Sequence, residues 1–171
     1  MKKTLYIICF CIPVLGFSQG QFQQESAGAV NFASGRLVQL LDAVPDDKLN
    51  WSPGDGVRSF RDVFAHIAQA NYFFGSRLGT PVPDGVDVMN LAASLKTKDQ
   101  LKSALTESFK YLTEAMRNAK DESMSERVEF PFPGEYTTMS AMLIALTHVR
   151  EHMGQLIAYT RVNGITPPWS E

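Results

Sequence analysis

After residue 11 the chain has no cysteine: the two it carries, Cys9 and Cys11, both fall in its first segment. Everything beyond them is barred from disulfides, thiol nucleophiles and thiolate metal ligands, so a metal site there has only His, Asp and Glu to draw on. Long apolar runs are equally scarce. The longest, Leu5 to Leu15, spans about 11 residues, against the ~20 that a membrane-spanning helix needs. An excess of positive charge is missing as well, with 16 Lys and Arg against 18 Asp and Glu for a net charge of −2. Without a basic cluster to neutralise phosphates, nucleic acid and anionic membrane surfaces are poor candidates as partners. No segment repeats at a fixed period or is low in complexity, which argues against a solenoid or a disordered tract.

What is present begins with a leader. Met1-Lys2-Lys3, the apolar run and then Gly16-Phe17-Ser18 have the order of a secretory signal peptide: charged start, short apolar core, small residues at the exit. The expectation is a signal peptide over residues 1–19 and one exported domain over 20–171, periplasmic or extracellular. Neither cysteine has the small-residue context of a lipidation site. Loss of the leader would take Lys2 and Lys3 and no acid, leaving 14 basic against 18 acidic residues, a net of −4. The remaining length, about 150 residues, suits one domain with a real core.

Four helices are legible from period and punctuation. The first is expected from Phe22 to about Val44, stopped by Pro45. Ser59 with Asp62 three residues on has capping-box spacing and opens a second, which Gly79 and Pro81 close. Thr97 with Gln100 repeats the signature before a third running to about Ala119. The fourth starts near Thr137 or Thr138 and runs to Asn163, with Gly164 placed as its C-terminal cap. Residues 128–136 hold Pro131 and Pro133 and read as an extended crossing rather than a strand. The fold class is therefore all-α: one four-helix domain with its long loops gathered at the ends of a bundle.

Three histidines remain after the leader, and two of them stand at i and i+4 in His148-Val149-Arg150-Glu151-His152. On a helix that spacing sets the imidazoles about 40° apart and one turn up, close enough to chelate one ion. Ala141, Ile144, Ala145, Gln155 and Tyr159 share their sector, so the pair is expected to look into the bundle. His66 lies on the second helix among Val63, Ile67, Ala70, Phe73 and Phe74. Three neutral imidazoles with open positions left over suit Zn²⁺, Ni²⁺, Fe²⁺ or Mn²⁺. A histidine on an inner face is also commonly an ordinary hydrogen-bonded core residue, and spacing alone leaves both readings open.

Further motifs tilt the balance. Leu49-Asn50-Trp51-Ser52-Pro53, then Asp62-Val63-Phe64-Ala65-His66-Ile67-Ala68, then His148 to Leu156 and the ending Gly164-Ile165-Thr166-Pro167-Pro168 together resemble the DinB/YfiT-like family of metalloenzymes. The resemblance covers nearly all of the chain beyond the leader. It implies an up-down-down-up four-helix bundle in which one His of the second helix and an H-x-x-x-H pair of the last bind a divalent metal, and it assigns His66, His148 and His152 to those positions. It also implies homodimers paired through helix faces, although no stripe in this sequence specifies one. Some relatives use mycothiol or bacillithiol as co-substrate; an export leader sits badly with such cytoplasmic thiols.

Two functions follow as expectations. One is a metal-dependent hydrolase or thiol-directed transferase acting on a small molecule, with the ion activating a water or a thiol. The other is a non-catalytic metal-binding or ligand-binding bundle whose ion is structural. Glu151, about 60° round the helix from His148, is the candidate general base, against the plainer reading of a solvated glutamate. Gln155 is placed to orient a ligand. Tyr159, Trp51 and Phe73 are candidates to line a pocket, and Asp62 is better explained as a capping residue than as a fourth ligand. His148 to His152 also spells the H-x-x-E-H of a peptidase class that needs a downstream glutamate ligand; the sole acid after His152 is the terminal Glu171, which argues against it.

Overall fold

The computed structural model describes residues 20–170; the expected leader and both cysteines lie outside them. Helix α1 spans Gln21–Ala43, α2 Phe60–Arg77, α3 Leu91–Ser94, α4 Lys98–Asn118 and α5 Thr138–Val162. The capping boxes form as their spacing predicts. Ser59 Oγ accepts from the Asp62 amide at 3.2 Å while the Asp62 carboxylate accepts from the Ser59 amide at 3.4 Å, and Thr97 pairs in the same reciprocal way with Gln100. Each box satisfies amides that the first helical turn leaves without partners. At the other extreme Gly164 takes φ +71°, and the amides of Gly164 and Ile165 donate back to the carbonyls of Arg161 and Thr160. That Schellman turn needs a residue free of a Cβ penalty at positive φ.

Side-chain pairs fix the topology. Asn71 meets Ser108 and Gly75 meets Tyr111, so α2 and α4 run parallel. Phe60 meets Tyr159 whereas Phe74 meets His148, so α2 and α5 are antiparallel. Asp42 reaches Lys102 and Gln23 reaches Ala119, which makes α1 antiparallel to α4. The result is an up-down-down-up bundle in which α4 and α5 each pack on both α1 and α2, and the parallel step from α2 to α4 requires the long crossover of residues 78–97. Among the described residues no helix is long and apolar enough to cross a membrane.

Two expectations need correction. A fifth helix, the one-turn α3, sits in the crossover, which the sequence reading treated as loop. Residues 128–136 are not free of strand either: β1, Arg127–Val128, pairs antiparallel with β2, Tyr136–Thr137, in the register Arg127 to Thr137 and Val128 to Tyr136. Pro131 and Pro133 lie in the tip between the two strands. Their missing amides are therefore outside the ladder, and the argument from proline applies to the tip alone.

The core is a single apolar cluster drawn from all four long helices, with Leu37, Phe64, Leu105 and Leu156 fully buried. On α5 its stripe runs through Ala141, Ala145, Val149, His152, Leu156 and Tyr159, spacings of three and four as an inward-facing helix requires. The buried face is thus turned by about one residue from the expected one, with Val149 rather than His148 at its centre and Ile144 and Gln155 at its margin. At the close approach of α2 to α4, Gly75 lies beneath the ring of Tyr111, whose hydroxyl donates to the Thr80 carbonyl at 2.7 Å. A Cβ at residue 75 would overlap that ring, and the tethered ring cannot swing clear. Overpacking of this kind costs about 1–3 kcal/mol, more than the roughly 1 kcal/mol that alanine gains over glycine inside a helix. Gly75→Ala should accordingly lower the urea midpoint of unfolding, and adding Tyr111→Leu should restore part of it; an unchanged midpoint in the single variant would refute this account of the α2–α4 contact.

Candidate metal centre

The antiparallel packing of α2 on α5 brings His66 opposite His148 and His152. One ring nitrogen from each lies within 4.8 Å of the other two, and the Nε2 atoms of His66 and His148 are 3.0 Å apart. The rings meet edge to face, with centroids 4.5 to 5.0 Å apart. His152 is buried at 7 % exposure, and the other two are partly buried.

A directed chain of hydrogen bonds sets the tautomer of His152. The Arg58 carbonyl can only accept, so the Tyr159 hydroxyl, 3.2 Å away, donates to it. That hydroxyl in turn accepts from Gln155 Nε2 at 2.8 Å. The amide oxygen of Gln155 must then face His152 Nδ1, 2.8 Å distant, and Nδ1 carries the proton. In the neutral ring His152 Nε2 is then a bare lone pair, and this is the arrangement that orients a metal-ligating imidazole. His148 differs: its Nδ1 is buried with no partner, a condition that costs about 1–3 kcal/mol.

The neighbourhood favours neutral rings. Burial, then the neighbouring Arg58 and His152, pulls the pKa of His66 from 6.5 to about 4. Burial, then His152, His66 and Arg58, takes that of His148 to about 3. Neutral imidazoles are the form that ligates metals.

Beside the cluster opens a cleft of about 320 Å³ with His66 and His148 in its wall. Phe73 and Phe74 of α2 form one side, Val88 and Met89 of the crossover another, and Phe132 of the hairpin tip the third. Gln69 fastens the crossover to α2 by donating to the Val88 carbonyl at 2.6 Å and the Met89 carbonyl at 3.2 Å. Phe132 stacks on Phe130 at 4.9 Å, and Phe130 packs against Phe73 and Phe74. A larger cavity of about 460 Å³ lies across the crossover, between residues 85–95 and α4. Its lining includes Asp87 and Glu107 but no histidine, so the cluster opens only on the smaller of these two.

The structure brings together His66, His148 and His152 and leaves Glu151 out. Glu151 is exposed on α5 and lines none of the cleft, which gives the general-base assignment no geometric support. Gln155 and Tyr159 act together as the chain behind His152, and Phe73 lines the cleft as expected. Trp51 instead packs on Phe60 and Tyr159 at the edge of the core, and Asp62 serves the capping box and Arg61. The sequence reading missed Arg58, Gln69, Val88, Met89 and Phe132, and named Phe74 only as a neighbour of His66. For Phe132 a signal existed, an aromatic in a proline-flanked loop; the others carry no local mark.

Comparison with known proteins follows the same lines. The sequence model of the DinB superfamily matches residues 30–156. A crystal structure of a DinB-like protein from Bacillus cereus superposes with a TM-score of 0.67 at 17 % identity, covering 81 % of this chain and 90 % of that one. A DinB-like protein from Bacillus subtilis gives 0.67 at 15 % identity over 86 % and 97 %. A conserved protein from Enterococcus faecalis gives 0.65 at 17 % identity over 81 % and 95 %. No curated protein matches the chain. At these identities the structural likeness establishes the fold.

The lowered histidine pKa values carry a consequence for stability. In the unfolded chain these imidazoles take up protons near pH 6.5, whereas in the folded protein they resist until about pH 4 and 3. Between those limits the unfolded state binds more protons, so stability present above pH 6.5 is lost as pH falls through the window. For protein freed of metal by chelation, the urea midpoint should drop between pH 7 and pH 4.5, and His148→Gln should flatten that slope. Equal slopes in the two proteins would mean that His148 is not held neutral by the fold.

Proposed function

The chain belongs to the DinB superfamily, and on that premise we propose that His66, His148 and His152 hold one divalent cation for a metal-dependent hydrolase or thiol-directed transferase acting on a small molecule. The observation that carries this reading is the meeting of three imidazole nitrogens within 4.8 Å at the wall of an apolar cleft. The donor set fits such an ion. With metal–nitrogen bonds of about 2.0–2.1 Å, two ligand atoms on one ion stand roughly 2.9 to 3.4 Å apart, and His66 and His148 present their Nε2 atoms at 3.0 Å. Three neutral nitrogen donors without sulfur suit Zn²⁺, Ni²⁺, Fe²⁺ or Mn²⁺ and leave positions open.

The ion would supply Lewis acidity, lowering the pKa of a water or thiol placed at an open position. The protein's own contribution is positional. Gln155 and Tyr159 keep the lone pair of His152 turned toward the other two rings, while Phe73, Phe74 and Phe132 exclude water from the side on which a substrate body would lie. Export, read from residues 1–19, completes the proposal and places the chemistry in the periplasm or outside the cell.

Elemental analysis of protein purified without added metal or chelator tests the centre. The expected result is close to one divalent ion per chain in the wild type, none in His148→Ala, and an affinity lower by about 10- to 100-fold in Gln155→Leu. Chelation should lower the melting temperature by several degrees and abolish turnover in a hydrolase and thiol-transfer screen. Wild-type protein that takes up none of Zn²⁺, Ni²⁺, Fe²⁺ and Mn²⁺ would overturn the reading. Metal binding with turnover indifferent to chelator would leave the ion a structural one.

A further inference from the structure

The crossover has two faces. Val88 and Met89 border the histidine cleft, whereas Val86 and Asp87 border the cavity of about 460 Å³ on the side of α4. The floor of that cavity is Tyr72 of α2 with Leu95 and Ala104, all buried. Its rim carries the exposed carboxylates of Asp87 and Glu107. A hollow of about 360 Å³ adjoins it, sharing Tyr72, Val86 and Glu107 and adding Asp84, Glu114 and one cation, Lys110.

Tyr72 is the residue that packing alone does not explain. It is 3 % exposed, and its ring lies 5.1 Å from that of Tyr111, yet the two phenols are used differently. Tyr111 donates its hydroxyl proton to the Thr80 carbonyl at 2.7 Å. The Tyr72 hydroxyl has no hydrogen-bond partner among the described residues and is not sealed from solvent either, so it opens on the hollows that the residue lines. A buried tyrosine ordinarily finds a partner for its hydroxyl. Burial, then the charge of Glu107, raises its pKa above the ordinary phenol value, which keeps it a neutral phenol with donor and acceptor both free.

Charge narrows the class of guest. The ion pairs among the described residues include none of Asp84, Asp87, Glu107 and Glu114. Asp87 accepts from Asn90 and Glu107 from Ser103, neutral groups that leave both charges uncompensated. Lys98 and Lys102, near the start of α4, are held by Asp46 and Asp42. An anion in the larger cavity would meet two carboxylates and no cation. A bare metal ion calls for oxygen ligands on all sides, whereas the floor here is apolar. The volume falls within the roughly 300–1,000 Å³ of small-molecule sites and leaves room for an organic body. An ammonium group supplies donors alone, and carboxylate and phenol oxygens accept them.

We propose that this cavity is a second ligand site, separate from the histidine cluster, and that it takes a small protonated amine with an apolar body. The ammonium is set among Asp87, Glu107 and the Tyr72 hydroxyl, and the body lies on Leu95 and Ala104. The site does not depend on the metal reading above.

The test titrates the purified protein with 2-phenylethylamine, protonated at neutral pH, and with its uncharged isostere 2-phenylethanol, followed by backbone amide chemical shifts. The amine should bind more tightly than the alcohol by roughly tenfold or more, and the amides that move should be those of residues 85–95 and the facing turns of α4. Glu107→Gln should erase most of that preference. Tyr72→Phe, which keeps the ring, should weaken the amine by roughly three- to tenfold. Equal binding of the two probes, or no binding of the amine, would overturn the proposal. Shifts centred on His66, His148 and Phe132 would do the same by placing the amine in the other cleft. A preference that survives Asp87→Asn combined with Glu107→Gln would overturn the role of the carboxylates.

Discussion

Helices α2 and α5 pack against each other across three imidazoles, and the contact disfavours charge on two of them. Burial there holds His66 and His148 neutral far below the ordinary histidine range. Neutral rings still carry polar nitrogens, and each must be turned to some purpose or paid for in lost hydrogen bonding. His152 is turned by Gln155, Gln155 by Tyr159, and Tyr159 by a carbonyl that can only accept. A backbone atom in the loop before α2 thus decides which nitrogen of a ring on α5 is bare. The seam and the loop are one device, because shifting either by a residue would break the direction of the chain.

The topology explains why the cleft lies where it does. In an up-down-down-up bundle α2 and α4 are parallel, so a crossover must climb back along the molecule from the end of α2. That passage carries Val88 and Met89 beside α2, where Gln69 holds their carbonyls. Because α5 is antiparallel to α2, the start of α5 and the hairpin leading into it arrive at the same end, and Phe132 comes with them. The two long connections close on the histidines from one side. A plain up-down-up-down bundle with short turns would have buried the same helical faces without building those walls.

Much of this was legible in the sequence, and the limits are physical. Ser59 with Asp62, Thr97 with Gln100, and Gly164 specify helix ends by local chemistry, and local chemistry is what a short window records. The pairing of His66 with His148 and His152 was drawn from resemblance; spacing alone could say only that two rings share one face of α5. Glu151, next to His152 in sequence, projects from the exposed side of the helix, because neighbours on a helix point about 100° apart. The strand pairing of 127–128 with 136–137 was missed because proline rules were applied to the whole segment when they govern its tip. Arg58 left no signal, since a lone arginine in a turn-rich loop gains its meaning from a helix about a hundred residues later.

Electrostatics then ties the parts together. The chain is mildly acidic overall, yet among the described residues no carboxylate joins the three histidines. Three uncharged imidazoles would not offset the charge of a divalent ion held between them, and a partly desolvated charge left unbalanced is costly. A site of this kind would be completed by water, hydroxide or a substrate group at the open position. Placing an acid beside the ligands would neutralise the ion from within and weaken the attraction for an anionic guest. With Glu151 on the outer face and the cleft apolar, the negative charge that a divalent ion held there would call for is left to whatever binds beside it.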